Sequence, residues 1–202
     1  MKVCIIGDIM LGRYVNSYVK EKGLMPFLNV LKPITKESYV ISNLESPILS
    51  PREYDLDKEK YLCCVNSDLK TLKATQISAF SIANNHIMDF GIDGLKNTIN
   101  VLDEIGIKCF GAGTKRDDAY TPLVLSENGL SVAFLSFSYG SDSYRDGYGV
   151  ANFYNPNIFR IVEETKKKYD YLIVMVHVGI ELCEYPVIRD EIIIKKIMIQ
   201  EL

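Results

Sequence analysis

No stretch of this sequence reaches the roughly 18–20 consecutive apolar residues that a membrane-spanning helix needs. The strongest apolar run, Tyr171 to Val176, has the length of a buried strand. The N-terminus, MKVCIIGDIMLGR, loses its apolar character after Ile6, at Gly7-Asp8. That is short of the ~7–15 apolar residues of a secretory leader, so the expectation is a cytoplasmic chain without leader or anchor. A surplus of positive charge is also missing: 23 Lys and Arg stand against 26 Asp and Glu, a net charge of −3. Proteins that bind nucleic acid generally neutralise phosphates with excess Lys and Arg, so nucleic acid is set aside as a partner. The five cysteines, Cys4, Cys63, Cys64, Cys109 and Cys183, are scattered, odd in number and form no Cys-x-x-Cys pair. This argues against a disulfide framework or zinc–thiolate site and for free thiols, buried at Cys4 and Cys109. Collagen-like, mucin-like and coiled-coil patterns, internal repeats and interdomain linkers are lacking as well.

What is present suits a single globular domain. The chain has 202 residues, 48% of them hydrophobic, enough for a sizeable core. Strands and helices alternate along it. Residues 2–7 form a short β-branched strand ending at Gly7, and 16–31 hold two helical pieces around Gly23 and Pro26. Strands follow at 38–42, 61–65, 77–82 and 107–110. The segment 46–60, with two prolines and dense charge, reads as an exposed loop. Ser67 caps a helix running to about Lys73. Ile92, Leu95, Ile99, Leu102 and Ile105 recur every three or four residues, an amphipathic helix closed by Gly106. Residues 122–126 and 130–137 flank Glu127-Asn128-Gly129, a hairpin turn in which Asn-Gly accepts positive φ. The Gly/Ser/Tyr-rich segment 138–152 is long enough for a functional loop. Asn155-Pro156 starts a helix whose end carries Lys166, Lys167 and Lys168, and 171–176 is the most apolar strand. The last helix, from about Pro186 onward, is apolar on nearly all sides and needs cover on more than one face. The order implies an α/β fold, a largely parallel sheet with an antiparallel addition.

In open α/β sheets ligands gather at the C-terminal ends of parallel strands. The polar residues just after the strands are Asp8; Asn43 and Glu45; Asn84, Asn85, His86 and Asp89; then His177 and Glu181. The chain has only two histidines, and both fall in this set. Carboxylates, amides and imidazoles together form a hard-to-borderline donor set suited to Mn, Fe, Zn or Mg. Taken singly, each residue has an ordinary alternative role as a helix cap, loop satisfier or turn former; their joint placement favours a site. Arg13, Arg145 and Arg189 read as surface charge able to contact an anion.

The stretches GDIMLGR (7–13), NLESP (43–47), SIANNHIMDFGIDGLKNTINVLDEIGIKCFGAG (81–113) and VHVGIELCEYP (176–186) resemble the CapA family of capsule and poly-γ-glutamate synthesis proteins. That family lies within the calcineurin-like metallophosphoesterase superfamily. The resemblance covers essentially the whole chain. It implies a two-sheet sandwich flanked by helices. It also implies metal ligation by Asp8, Glu45, Asn85 and His177, with Glu45 at the place where many superfamily members have a bridging Asp. His86 is implied as the group that approaches the leaving oxygen, and Asp89 is counted with it as catalytic. Two cations clamping a phosphate and activating a water, with a histidine protonating the leaving group, make a coherent chemistry.

The departures from the family pattern bear on activity. Met10 stands where phosphoesterases of the superfamily often have a metal-binding His. His177-Val178-Gly179 replaces His-Trp-Gly. The chain ends at Leu202, before the family's Gly-Ala-Asp strand and Gly-His-His-Pro-His motif. The expectation is therefore one CapA-like domain over 1–202, incomplete at its C-terminal end and lacking strands there, with weakened affinity for a divalent metal. Two functions stay open. One is a metal-dependent phosphoesterase-like hydrolase acting on a phosphoester or acidic polymer. The other is a non-catalytic accessory module that keeps the fold and binds a polymer or a membrane synthase. A remnant that folds poorly is the third reading.

Overall fold

Val, Ile and aromatic residues pack well on a pleated, half-buried surface, and they dominate the runs that become strands. The structure, a computed structural model, describes residues 1–23, 25–49, 62–65, 72, 77–140, 146–180 and 182–199. The strands are β1 (Val3–Ile9), β2 (Tyr39–Leu44), β3 (Ile48–Leu49), β4 (Cys64–Val65), β5 (Ile77–Ser81), β6 (Lys108–Phe110), β7 (Ala112–Gly113), β8 (Leu123–Glu127), β9 (Leu130–Ser138), β10 (Gly149–Val150) and β11 (Tyr171–His177). The helices are α1 (Arg13–Lys22), α2 (Met25–Thr35), α3 (Gly91–Glu104), α4 (Ile158–Lys166) and α5 (Ile188–Ile199), with a short 3₁₀ turn at Asp118–Tyr120.

Two sheets carry the fold. The first has the order β1-β2-β5-β6, every pair parallel. The second has the order β11-β9-β8, in which β9 and β11 are parallel and β8 and β9 form the expected antiparallel hairpin. Asn128 at φ 53° and Gly129 at φ 80° make its two-residue turn, which needs positive φ at both positions. Three apolar clusters define the layers. Ile41, Ala79 and Phe110 of the first sheet meet Leu123, Leu125, Val132 and Phe134 of the second. Leu95, Val101 and Leu102 of α3 cover the other face of the first sheet at Val40, Leu44 and Phe80. Ile158 and Val162 of α4 and Ile197 of α5 cover the other face of the second sheet at Leu135 and Phe137. The architecture is mixed α/β: two sheets face to face, with helices outside.

Several local expectations need correction. β1 does not end at Gly7 but runs on to Ile9, because β2 supplies pairing partners past the glycine. Residues 46–49 are not an exposed loop: Ile48 and Leu49 are buried and pair in parallel with Cys64 and Val65. Thr98 and Asn97 of α3 bind the Ile48 backbone on both sides, so a tertiary partner overrides the local loop signal. The rest of that segment, the helix expected after Ser67 (save Leu72), Arg145 and Glu181 lie outside the described residues. In 138–152, Gly149 and Val150 form β10, paired with β7, and Ala151 is fully buried. The helix expected at Asn155-Pro156 starts at Ile158. None of the five cysteines is in a disulfide, but Cys4 and Cys109 are half-buried rather than buried. Burial first, and Asp103 second, push the Cys109 thiol up to about 11. In α5 only Asp190 and Ile197 are buried, whereas Ile188, Ile192, Met198 and Ile199 are exposed.

Candidate functional site

Side chains alternate along a strand, so each inner face reads at every second residue. Four inner rows change character toward their C-terminal ends, β11 one inner position later than β9. Ile41 is followed by Asn43, Ala79 by Ser81, Phe134 by Ser136 and Met175 by His177. The space between the sheets is therefore apolar below and polar at the C-terminal strand ends. Ser81 and Ser136, one from each sheet, hold their hydroxyl oxygens 2.7 Å apart at that boundary. Ser138 donates to the His177 carbonyl at 2.7 Å and fixes the end of β11.

Asp8 joins this level through an irregularity in β1. The register shifts between Ile5 and Asp8, which sets Asp8 beside Asn43. Asn43 Nδ2 donates to Asp8 Oδ1 at 2.8 Å and lies 3.3 Å from His177 Nδ1. His177 Nε2 lies 3.0 Å from Asn85 Oδ1. These partners assign the neutral ring its tautomer: Nδ1 accepts from Asn43, and Nε2–H donates to Asn85. Asp8 Oδ1 is 3.6 Å from His177 Nδ1, and Glu45 Oε1 is 3.8 Å from Nε2, ion-pair distances too long for hydrogen bonds. The His177 imidazole holds the Asp8 carboxyl below its usual range; partial burial opposes this and Asn43 adds to it. Asp8, in turn, raises the His177 pKa above that of an ordinary histidine, against the opposing effect of burial and with Glu45 assisting.

Asn84, which follows β5, organises the loop. It is buried, donating to Asn43 Oδ1 at 3.2 Å and to the Leu44 carbonyl at 2.8 Å. Its own Oδ1 accepts from the backbone N–H groups of His86 and Ile87 at 3.1 and 2.9 Å. This Asx-type turn presents Asn85 and His86 toward β11. Asn85 Nδ2 is 3.1 Å from His86 Nε2, and His86 Nδ1 is 2.9 Å from Asp89 Oδ2. In the neutral ring, Nδ1–H donates to Asp89 and Nε2 accepts from Asn85.

The site residues expected from sequence thus fall into three groups. Asp8 lies on the Nδ1 side of His177. Glu45 and Asn85 lie on the Nε2 side. His86 and Asp89 form a separate pair that touches the others through Asn85. Glu45, Asn85, His86 and His177 line a common cavity of about 410 Å³. Sequence reasoning placed two organisers, Asn43 and Asn84, among the polar strand-end residues but counted neither as a ligand or catalytic group. The available signal was their position immediately beside expected ligands, at strand ends where a buried amide must find partners. Tyr139, which also lines the cavity, was missed because it reads as part of a loop.

His177, Asn85 and Glu45 carry donor atoms of the kind that ligate a divalent cation. Adjacent ligands at right angles around a cation, each at about 2.0–2.1 Å, stand about 3 Å apart. The 3.0 Å between His177 Nε2 and Asn85 Oδ1 matches that spacing, and Glu45 Oε1 stands next to them. To offer a lone pair at Nε2, the ring must carry its proton on Nδ1, facing Asp8. Among the described residues, no group of three or more His, Cys, Asp or Glu side chains is placed to hold a metal ion.

Comparison with known proteins is consistent across most of the chain. Residues 2–198 match the family described as bacterial capsule synthesis protein PGA_cap. The chain is similar to the PGA biosynthesis protein CapA of Bacillus subtilis, 32% identical over 189 residues that make up 90% of this chain and 50% of the relative. It is 28% identical to the capsule biosynthesis protein CapA of Bacillus anthracis, over 96% of this chain and 50% of the relative. A probable polyglutamine synthesis accessory protein of Mycobacterium tuberculosis is 34% identical over 80 residues, 39% of this chain and 21% of that protein. The chain spans about half the length of the two CapA relatives. Among solved structures, a hypothetical protein from Thermus thermophilus superposes with a TM-score of 0.48 at 19% identity, over 89% of this chain and 59% of the other. The NAD nucleotidase of Haemophilus influenzae gives 0.42 at 14% identity, over 77% and 28%.

Proposed function

The chain belongs to the bacterial capsule synthesis protein family PGA_cap, and from that membership we propose that it carries a metal-dependent, phosphoester-directed site serving capsule or poly-γ-glutamate synthesis. The observation that carries this reading is the meeting of Asp8, Glu45, Asn85 and His177, from both sheets and two loops, at one level of the fold. In this reading the substrate is an organic phosphoester or an acidic polymer, and a membrane synthase is the natural partner.

A divalent cation such as Mn, Fe, Zn or Mg, when bound, supplies charge stabilisation at a phosphoryl oxygen and lowers the pKa of a bound water. The chain's own residues do the rest. Asn43 and Asp8 orient the His177 ring and decide which nitrogen carries its proton. Asn84 fixes the loop that brings Asn85 to Nε2. His86, held at Nδ1 by Asp89, is the group placed to pass a proton from Nε2 to a leaving oxygen.

Calorimetric titration of the chain with Mn, using His177→Ala as the control, tests the site. Micromolar binding that the substitution removes, together with turnover of bis(4-nitrophenyl) phosphate that His86→Ala suppresses, supports the enzyme reading. A second reading, a binding module without turnover, is favoured by one observation: both His177 nitrogens already have protein partners, and no three stronger donors group together among the described residues. A folded chain that binds no Mn supports that alternative.

A further inference from the structure

Away from the donor set, behind Tyr139 of the same cavity, lies a buried carboxylate that the site chemistry does not use. Asp190, in the first turn of α5, has no solvent exposure. Its Oδ2 accepts from the Tyr139 hydroxyl and its Oδ1 from the Tyr154 hydroxyl, the latter at 2.6 Å. The two phenol rings stack at 5.2 Å and 25°. The Phe153 ring meets Tyr139 edge-on at 6.3 Å, and the Arg189 guanidinium lies 3.8 Å over the Tyr154 ring. Partial burial, followed by the Asp190 carboxylate, pushes the Tyr139 phenol far above its usual range, so its proton stays in place at any physiological pH.

Tyr139 directly follows Ser138, the residue that pins the His177 carbonyl, and it lines the cavity with His177, Asn85 and His86. A tyrosine free to turn would gain nothing from so costly an arrangement, because a buried carboxylate must be fully hydrogen-bonded to be tolerated. Here the two phenols meet that need, and the result is one aromatic ring locked in a single orientation beside a polar donor set. Val178, Ile180 and Tyr185 continue the apolar lining of the cavity.

We propose that Tyr139 is a substrate-positioning residue, an aromatic wall held by Asp190 and Tyr154, and that the cavity takes a phosphoester whose organic group has an apolar or planar face resting on that wall. The proposal rests on the phosphoester reading above for the polar half of the ligand only.

Three probes separate the two halves: phenylphosphonate, methylphosphonate and benzyl alcohol, each titrated by calorimetry into the chain in the presence of Mn. Phenylphosphonate is expected to bind at least tenfold more tightly than methylphosphonate. Tyr139→Leu abolishes that preference while methylphosphonate affinity stays within threefold. Tyr139→Phe, which keeps the ring, retains most of the preference, and Asp190→Asn loses part of it because the ring is less firmly held. Circular dichroism on each variant reports folding, and Tyr139→Phe supplies the test if Tyr139→Leu does not fold. Equal loss of both phosphonates in Tyr139→Leu, or no preference in the parent chain, overturns the proposal. If neither phosphonate binds, benzyl alcohol decides. Binding that Tyr139→Leu removes retains the wall and overturns the phosphoester reading; no binding of benzyl alcohol overturns both.

Discussion

His86 and His177 are joined through a single amide. Asn85 donates from Nδ2 to His86 Nε2 at 3.1 Å and accepts at Oδ1 from His177 Nε2 at 3.0 Å. The two histidines therefore have separable roles with one shared dependency. Asn85→Ala is expected to lower Mn affinity by about 10–100-fold, the range seen when a ligand or its immediate support is lost. His86→Ala and Asp89→Asn are expected to leave Mn affinity within threefold and to reduce phosphodiester turnover instead. Calorimetry and a chromogenic assay on the same variants check both statements.

Asn84 satisfies four groups with one buried side chain. Asn84→Ala leaves two backbone N–H groups and two carbonyl oxygens without that partner, and the expected loss is about 2–3 kcal/mol. Asn84→Asp should cost more, because a carboxylate oxygen would then face the Leu44 carbonyl. Urea unfolding monitored by circular dichroism measures both.

The hydroxyl pair Ser81–Ser136 links the sheets where neither residue is more than 2% exposed. Removing one hydroxyl strands the other, whereas removing both leaves two small apolar side chains. Ser81→Ala and Ser136→Ala are each expected to destabilise the fold. The double variant should be more stable than the sum of the two losses by about 0.5–1.5 kcal/mol. A double-mutant cycle on denaturation free energies gives that coupling, and strict additivity would refute it.

Tyr139 and Tyr154 both have phenol pKa values raised by burial and by Asp190. The folded chain keeps these protons at a pH where the unfolded chain, with phenols near 10, sheds them. The unfolded state then binds fewer protons, so stability is full below about pH 10 and falls as the pH climbs beyond it. An absorbance titration of tyrosinate should show two of the 13 tyrosines ionising only with unfolding. In Asp190→Asn that lag should shrink.

Much of this architecture is legible along the chain because its signals are local. The Asn128-Gly129 turn, the periodicity of α3 and the apolar run of β11 each carry their own pattern. Two of the failures share a cause, a partner distant in sequence. Gly7 does not end β1 because β2 pairs beyond it, and Ile48-Leu49 leave the charged loop because α3 binds their backbone. The site divides the same way. Asp8, Glu45, Asn85 and His177 stand out as polar residues after apolar strands. The register shift that turns Asp8 toward Asn43, and the burial of Asn84 and Asp190, exist only once the sheets are assembled.

The apolar layer between the sheets has one more consequence. Packed sheets stand about 10 Å apart, at a separation set by the side chains between them. The Phe110 and Phe134 rings, 6.2 Å apart, lie in that layer, Phe134 below the level of His177 and Phe110 in register with Ser81 and Asn43. The core thus works as a gauge block for the chemistry above it. Its volume fixes the bite between donors contributed by opposite sheets, so a methylene gained or lost among residues that never touch a ligand resets the span across which a cation or a phosphate must be held.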